Sequence, residues 1–397
     1  MEQLQTISYE RIERVDTRLK RYLYHNIDWN DRLIAILGSR GSGKTTLILQ
    51  YARENRDLSK TLYLSLDHIL FQNQRLLDVV DFYYKLGIRY LFLDEVHKYP
   101  SWSIEIKNIY DQYDDVKVVF TGSSLIELCK GQADLSRRMV YYYLNGLSFR
   151  EFLHFDQSIE IPSHSLVEIL ENHIPIARGI KRKVEAPILH FEKYLRIGYY
   201  PYFRENENNY YQRLLGTLNI ALDTDIFAIE PITYPSIRKL KNLLYIISQS
   251  VPFKPNISEL SQKVETKREK LIQYLDLLER AQIIHQLRSE TKGMSYIGKP
   301  DKIYLNNPNL IYALSQGVMD RGSERETFFL NQLSANYQVS YPKQGDFLVD
   351  KKYTFEVGGK GKISRQISHL PNSFIAADGI ELGIATKIPI WLFGFLY

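Results

Sequence analysis

The segment Gly38–Thr45 has the residue types and spacing of a phosphate-binding loop. Its sequence, Gly-Ser-Arg-Gly-Ser-Gly-Lys-Thr, matches Gly-x-x-x-x-Gly-Lys-(Ser/Thr) in full. Glycines let backbone N–H groups approach a phosphate closely, and the start of the following helix adds positive potential. We expect Lys44 to reach the β and γ phosphates and the Thr45 hydroxyl to coordinate Mg²⁺. The predicted nucleotide contacts are Gly38, Ser39, Arg40, Gly41, Ser42, Gly43, Lys44, Thr45 and Thr46.

A second group of candidate residues follows an apolar run at Tyr90–Leu93, where Asp94 and Glu95 stand side by side. An aspartate directly after a buried strand can hold the hydration shell of Mg²⁺. A glutamate next to it is placed to orient and deprotonate an attacking water, so we predict Glu95 as the general base. His97 is interpreted as a neighbour of the site without a role of its own.

Two further positions are candidates for contact with the γ-phosphate. Thr121 ends the apolar run that begins at Lys117, and Ser123 follows it. Either hydroxyl can hydrogen-bond the phosphate or the attacking water, and we favour Thr121. The guanidinium of Arg137 or Arg138 can neutralise charge as the γ-phosphate leaves, supplied by the same chain or by another copy. A solvated surface explains this arginine pair equally well.

Short apolar runs alternate with amphipathic stretches from Ile27 to about Leu153, which is typical of a parallel sheet with crossover helices. The predicted strands are Leu33–Leu37, Thr61–Leu66, Tyr90–Leu93 and Lys117–Thr121, and a helix is expected over Thr45–Glu54. Ligands collect at the carboxyl ends of such strands, which is where Gly38, Asp67, Asp94 and Thr121 fall. The sequence therefore predicts an α/β fold with one site at this edge.

Composition narrows the class of protein. The chain has 397 residues, enough for two or three domains, and hydrophobic and charged residues make up 44% and 24%, as in globular proteins. The net charge of +5 is compatible with nucleic acid without requiring it. One cysteine, Cys129, excludes an internal disulfide framework. With neither a signal-peptide core nor an apolar run of about 18 residues, we expect a cytoplasmic protein without membrane contact.

After about Leu153 the pattern of apolar and polar residues along the chain changes twice. The segment from Phe155 to about Gln249 is helical in pattern. Residues Asn256–Leu287 suggest a short helix, a turn and a longer helix. From about Asp301, strand-like runs at Lys302–Leu305, Tyr353–Val357 and Ile388–Phe395 flank a helix near Arg325–Leu333, which indicates a small α/β domain.

The order of these motifs resembles the predicted AAA-superfamily ATPases of archaea and bacteria. The resemblance rests on the phosphate loop, on L-F-L-D-E-V-H-K-Y-P-S-W from Leu91, on F-T-G-S-S from Phe120, and on R-R-M-V-Y-Y-Y-L-N-G-L-S-F-R-E-F from Arg137. It implies a P-loop ATPase domain over 1–154, a helical subdomain over 155–250, a winged helix over 251–300 and a restriction-endonuclease-like domain over 301–397. It also favours Arg138 over Arg137, although a glycine of the family pattern is replaced here by Arg137.

The resemblance suggests additional roles outside the ATPase domain. Lys267, Arg268 and Lys270 stand where a winged helix would present basic residues to DNA. In the C-terminal domain, Glu326, Asp346, Glu356 and Lys360 resemble the acidic residues and lysine of metal-dependent nucleases. The usual lysine position, two residues after the glutamate, is Gly358. We therefore favour a degenerate or regulatory domain over a working nuclease.

The leading hypothesis is a Mg²⁺-dependent ATPase that acts as a molecular switch or machine with nucleic acid. ATP and Mg²⁺ are the expected ligands, and DNA, a protein partner or further copies of the chain are the candidate partners. One rival is an ATP-gated nuclease. Another is a scaffold that binds a protein partner and hydrolyses ATP only to reset.

Overall fold

A computed structural model of the chain describes residues 2–124, 135–229, 233–249, 252–289, 299–315, 320–363 and 366–397. These residues form two compact units. The first combines Met1–Asn145 with Asn219–Thr233, and the second combines Gly146–Leu218 with Tyr234–Tyr397. Residues 219–233 thus leave the predicted helical subdomain and join the first unit. Cys129 lies outside the described residues.

The helices are labelled here in chain order for use below. They are α1 (Glu2–Arg14), α2 (Lys44–Asn55), α3 (Leu76–Lys85), α4 (Trp102–Gln112), α5 (Phe149–Gln157), α6 (Leu166–Lys181), α7 (Pro187–Ile197), α8 (Tyr210–Ile220), α9 (Ile226–Ile229), α10 (Tyr234–Ser248), α11 (Ile257–Lys263), α12 (Arg268–Arg280), α13 (Pro308–Leu314) and α14 (Arg321–Leu333). A π-helical turn, Ala221–Asp225, separates α8 from α9.

The first unit is built on a five-stranded sheet whose strands are all parallel. The strands are β1 (Leu33–Leu37), β2 (Thr61–Ser65), β3 (Tyr90–Asp94), β4 (Lys117–Gly122) and β5 (Val140–Tyr143), in the spatial order β2-β3-β4-β1-β5. Strand β4 thus lies between β1, which leads into the phosphate loop, and β3, which ends at Asp94. Their carboxyl ends form one edge of the sheet.

Hydrophobic layers cover both faces of this sheet. Strand β1 is fully buried: Ile34 and Ile36 pack with α2 in one layer, and its other residues pack with α3 and α4 in the second. Such two-sided burial explains why these strands are continuous apolar runs in the sequence. It also makes the sheet a rigid base for side chains at its edge.

The second unit contains two smaller sheets. Strands β6 (Ile284–Leu287) and β7 (Lys302–Leu305) form an antiparallel pair after α11 and α12. The other five strands are β8 (Val339–Ser340), β9 (Phe347–Val349), β10 (Tyr353–Gly358), β11 (Ser373–Ala377) and β12 (Lys387–Pro389), in the order β12-β11-β10-β9-β8. Helix α14 packs on β10, where the rings of Phe329 and Phe355 have centroids 5.0 Å apart.

The α/β fold predicted from the sequence is confirmed, but one predicted strand is wrong in part. The run Ile388–Phe395 continues β12 only to Pro389, and Ile390–Phe395 forms 3₁₀ turns that are buried throughout. An apolar run that is buried on all sides has no periodicity that separates strand from helix. Among the described residues, none of the helices is long and apolar enough to cross a membrane.

Candidate nucleotide-binding site

The predicted phosphate loop joins the carboxyl end of β1 to α2, which begins at Lys44. Gly41 and Gly43 adopt positive φ values of 82° and 98°, a conformation that side chains disfavour. Gly38 is needed for a different reason, since a Cβ atom there would lie 2.3 Å from the carbonyl oxygen of Leu144. The three glycines of the motif therefore allow the loop to fold tightly against the sheet edge.

Lys44 points into this loop and is almost fully buried. Its Nζ donates to the carbonyl oxygens of Gly38 and Ser39 at 2.9 and 3.0 Å. Burial lowers the pKa of the Lys44 ammonium, and the nearby carboxylates of Glu95 and Asp94 act against that shift. A phosphate held by the loop would supply further negative charge and favour the ammonium form.

Asp94 lies at the end of β3 and accepts hydrogen bonds from three hydroxyl groups. Thr45 Oγ1 donates to its two carboxylate oxygens at 3.1 and 2.9 Å, and Tyr63 OH donates at 2.9 Å. Thr121 Oγ1, from the adjacent β4, also donates to Asp94. Burial raises the pKa of Asp94, and the Glu95 charge adds to that shift while the hydroxyl groups oppose it.

The donor set around Thr45 and Asp94 fits Mg²⁺ bound together with a nucleotide. Among the described residues, no group of three or more His, Cys, Asp or Glu side chains could hold a metal by itself. Mg²⁺ usually takes one or two protein oxygens and completes its octahedron with water and phosphate oxygens. One hydroxyl and one buried carboxylate, which makes no ion pair with the described residues, meet that requirement. A cavity of about 300 Å³ adjoins Thr45, Asp94 and Glu95.

Glu95 follows Asp94 with an unusual backbone conformation, at a φ of 54°. Its N–H donates to Thr121 Oγ1 at 3.1 Å, so Thr121 contacts both acidic residues. The Glu95 carboxylate is 18% exposed and lies 3.3 Å from Nη2 of Arg40. A non-glycine residue in this backbone region carries strain that the surrounding contacts must offset, which is common at functional sites.

The sequence prediction missed four residues that complete the site. Arg21 is buried and donates to the backbone oxygens of Ser42 and Asn145, which supports the phosphate loop from behind. Tyr63 binds Asp94 from β2. His97, which was expected to have no role, has its Nε2 3.5 Å from carboxylate oxygens of both Glu95 and Asp225. His97 lies in the motif that begins at Leu91, whereas Arg21 and Tyr63 belong to none of the quoted motifs and Asp225 comes from a distant part of the chain.

The other predicted nucleotide contacts lie in the phosphate loop or at the start of α2. Ser42 is buried, and Thr46 is exposed at the third position of α2. Ser39 contributes a carbonyl oxygen that Lys44 binds. The Arg40 side chain points to Glu95 and Asp225. Nucleotide contact through Arg40 stays a prediction.

Arg138 does not lie in the phosphate site of its own chain. It precedes β5, whose first residue, Val140, pairs with Ile34 near the start of β1, at the edge of the sheet opposite the phosphate loop. Its guanidinium makes a two-pronged ion pair with Asp111 near the end of α4, at 2.9 and 3.2 Å. Since all five strands are parallel, the predicted catalytic role within one chain is wrong. A role in a neighbouring copy stays a prediction.

The predicted nuclease-like carboxylates lie near one another, but among the described residues no group of three or more His, Cys, Asp or Glu side chains could hold a metal. Glu326 accepts hydrogen bonds from Lys302 Nζ at 3.2 Å and Tyr304 OH at 2.7 Å, and Asp346 accepts from the N–H of Val357 at 2.8 Å. Glu356 is buried, burial raises its pKa, and the Asp346 charge adds to that rise. Among the described residues, neither carboxylate oxygen of Glu356 has a hydrogen-bond partner.

The lysine beside Glu356 is Lys362, and the prediction of Lys360 is wrong. Lys362 Nζ lies 3.8 Å from Glu356, whereas Lys360 is exposed. Gly358 explains why Lys362 can approach Glu356, because a Cβ atom at position 358 would lie only 2.8 Å from the Lys362 side chain. The missing side chain leaves the space through which Lys362 reaches Glu356.

The described part of the segment predicted as a winged helix, 251–300, contains α11, α12 and β6, and β6 pairs with β7, which begins just after the segment. Lys267 and Arg268 are exposed at the start of α12, and Lys270 is partly exposed. Their exposure leaves them accessible to a partner. DNA contact through these residues stays a prediction.

Comparisons with known proteins match two parts of the chain to family models. Residues 30–153 match a family model described as an AAA domain. Residues 188–321 match a family model described as a domain of unknown function (DUF8612).

Two relatives are similar along most of the chain. Uncharacterized protein MJ1637 of Methanocaldococcus jannaschii is 28% identical over 90% of this chain and 82% of its own. An uncharacterized protein of Haemophilus influenzae is 24% identical over 84% and 83%. Among solved structures, AMPPCP-bound DnaA from Aquifex aeolicus is 15% identical and covers 70% of this chain and 88% of its own, with a TM-score of 0.27. That overall similarity is too low to support a functional argument.

Proposed function

We propose that this chain is an AAA-type ATPase that binds ATP with Mg²⁺ and hydrolyses it. The observation that carries the proposal is the arrangement of Thr45, Asp94 and Glu95 at the carboxyl edge of the sheet, with Lys44 inside the adjoining loop. ATP is favoured over GTP because the sequence contains no Asn-Lys-x-Asp motif for guanine.

In this proposal the chain's own residues position the reactants. Lys44 and the loop N–H groups hold the phosphates, and Glu95 accepts a proton from the water whose oxygen attacks the γ-phosphorus. The bond to the ADP oxygen breaks, and ADP leaves with the electron pair. Thr121 holds the backbone of Glu95 beside Asp94. Bound Mg²⁺ would neutralise the charge that develops on the phosphate oxygens.

The experiment that tests this function is phosphate release from ATP by the purified chain, with Mg²⁺ and with EDTA. Lys44→Ala should lower turnover by at least about 100-fold, which corresponds to about 2.7 kcal/mol of barrier, and should weaken ATP binding. Lys60→Ala, at an exposed lysine of the same unit, is the matched control and should retain activity. Turnover that persists in EDTA or in Lys44→Ala would contradict the proposal.

We further infer that the ATPase acts as a switch or machine with nucleic acid in the cytoplasm. The support is the exposed basic group at the start of α12 and the positive net charge. The nuclease alternative is weakened because, among the described residues, no group of three or more His, Cys, Asp or Glu side chains could hold a metal. A protein-binding scaffold remains the rival proposal, and DNA-stimulated turnover separates the two. An assembly of several copies would give Arg138 a place to act.

A further inference from the structure

The π-helical turn Ala221–Asp225 brings a buried acidic residue to the candidate site from a distant part of the chain. The side chain of Asp225 is only 5% exposed, and this turn belongs to the first unit. Three basic side chains surround its carboxylate. Lys98 Nζ lies 2.5 Å from Oδ1, Arg40 approaches both oxygens at 3.3 Å, and His97 Nε2 lies 3.5 Å away. π-Helical turns frequently occur at functional sites.

Two of these three basic groups also contact Glu95. Arg40 Nη2 lies 3.3 Å from Glu95 Oε2 and 3.3 Å from Asp225 Oδ1, so one guanidinium bridges two carboxylates. His97 Nε2 is 3.5 Å from both acidic side chains. The N–H of Ser123 donates to His97 Nδ1 at 3.3 Å, which leaves the proton on Nε2, the nitrogen that lies 3.5 Å from both carboxylates. Asp225 and Glu95 are therefore linked through shared partners.

The geometry of Arg40 shows how Asp225 can influence Glu95. Its Nε and Nη2 approach the two oxygens of Asp225, and this two-pronged contact fixes the plane of the guanidinium. Only Nη2 is then directed at Glu95. Burial raises the pKa of Asp225, but hydrogen bonds from His97, Arg40 and Lys98 outweigh burial and keep the pKa well below its ordinary value. Asp225 is therefore a permanent negative charge.

We propose that Asp225 is a positioning residue for ATP hydrolysis, which acts through Arg40 and His97 to keep the Glu95 carboxylate correctly oriented and available to water. The inference rests on the proposed ATPase function. Without Asp225, the positive charges of Arg40 and Lys98 would lose the acidic partner that they share. Arg40 would then pair fully with Glu95, which would turn the Glu95 carboxylate away from the attacking water.

The test compares Asp225→Asn, which keeps the shape and removes the charge, with Asp223→Asn at an exposed position of the same turn. We expect kcat to fall by about 10- to 100-fold in Asp225→Asn, the range of a hydrogen bond to a charged group. The KM for ATP should stay within about 3-fold, because Lys44 and Thr45 are unchanged. Asp225→Glu, which retains the charge, should restore part of kcat, and Asp223→Asn should match the wild type.

A second comparison tests whether Asp225 acts through Arg40. In an Arg40→Gln background, Asp225→Asn should have little further effect on kcat, since the shared partner is already gone. The kcat of Arg40→Lys should be as low as that of Arg40→Gln, because an ammonium lacks the planar fork that bridges two carboxylates. The Arg40→Lys variant keeps the test valid if Asp225→Asn does not fold.

The possible outcomes separate this inference from the proposed function. If the wild-type protein hydrolyses ATP and Asp225→Asn has the same kcat, only the proposed role of Asp225 is overturned. A raised KM with an unchanged kcat would also overturn that role, since it would make Asp225 a structural anchor of the turn. A wild-type kcat in Arg40→Lys would show that the charge at position 40 is sufficient. It would refute positioning through the two-pronged contact of the guanidinium. Absence of wild-type turnover would overturn both proposals.

Discussion

Asp94 and Glu95 are adjacent in the chain, but their carboxylates have very different surroundings. Asp94 is buried and accepts hydrogen bonds from three neutral hydroxyl groups, those of Thr45, Tyr63 and Thr121. Glu95 is partly exposed and faces the basic side chains of Arg40 and His97. A carboxylate bound only by hydroxyl groups keeps its charge available to a cation, whereas one at the edge of a cavity can meet water. The two acids are thus suited to different tasks.

Thr121 is the residue that connects these two acids. Because its hydroxyl donates to Asp94 and accepts from the Glu95 N–H, Thr121→Val should remove both bonds while keeping the shape of the side chain. We expect kcat for ATP to fall by about 10- to 100-fold, since hydrogen bonds to charged groups contribute about 1.5–3 kcal/mol. Steady-state kinetics would measure the change.

Thr121→Ser is the matched control for this prediction. It retains the hydroxyl and should keep most of the wild-type kcat. If the valine variant were as active as the serine variant, Thr121 would be a packing residue only. Nucleotide binding should differ little between the two, because neither variant changes the phosphate loop.

Residues in short motifs were predictable from the sequence, and residues brought in by the fold were not. The loop Gly38–Thr45 and the pair Asp94–Glu95 carry their signal locally, because one strand and one turn place them. Tyr63 lies on a neighbouring strand, and its bond to Asp94 depends on the order of strands in the sheet. Asp225 gave no local signal.

At the scale of elements, β6 contains a histidine that should make the second unit sensitive to acid. His285 contacts Asn306 at 3.2 Å, and burial lowers the pKa of His285 to about 4 from 6.5. The unfolded chain therefore takes up a proton at higher pH than the folded chain. Stability from this residue is complete above pH 6.5 and is lost as the pH falls toward 4.

The free energy of unfolding should accordingly fall between pH 7 and pH 5, by about 2 kcal/mol from His285 alone. Urea titrations followed by circular dichroism at both pH values would measure it. In His285→Gln the fall should be smaller by that amount, whereas His25→Gln, at an exposed position, should behave as the wild type. Equal pH dependence in all three proteins would refute the assignment to His285.

Buried parallel strands were predicted well, and edge or irregular elements were not. The predicted bounds of β1 and β7 agree with the structure, and those of β2, β3 and β4 differ by one residue at one end. Strand β5 was missed because it lies at the edge of the sheet and its residues, Val-Tyr-Tyr-Tyr, are exposed or only partly buried. A half-exposed tyrosine run lacks the apolar contrast that marks a strand.

At the scale of the molecule, the first unit is discontinuous in the chain. The segment Asn219–Thr233 returns to it after the chain has entered the second unit. Composition and periodicity describe consecutive residues, so they suggested consecutive domains and gave no sign of this return. The returning segment is also the one that carries Asp225.

The effect of an added partner on the rate of ATP hydrolysis can show whether the protein acts with nucleic acid. If the protein acts with nucleic acid, DNA should raise kcat for ATP, and the effect should weaken with salt as counterions compete. Lys267→Glu combined with Arg268→Glu should reduce the stimulation, while Lys85→Glu, at an exposed lysine of α3, should not. We expect no DNA cleavage, because the part of the chain that the structure describes has no group of three or more acidic, His or Cys side chains that could hold a metal. Turnover that ignores DNA would favour a protein partner.

The most direct test of the ATPase proposal is a paired measurement of ATP binding and single-turnover hydrolysis in the wild type, Glu95→Gln and Glu10→Gln. Glu10 is an exposed glutamate on α1 and serves as the control. We predict that Glu95→Gln binds Mg²⁺-ATP about as tightly as the wild type and hydrolyses it at least about 100-fold more slowly, a barrier change of about 2.7 kcal/mol. Tight binding with unchanged hydrolysis in Glu95→Gln would contradict the role of Glu95 as the general base.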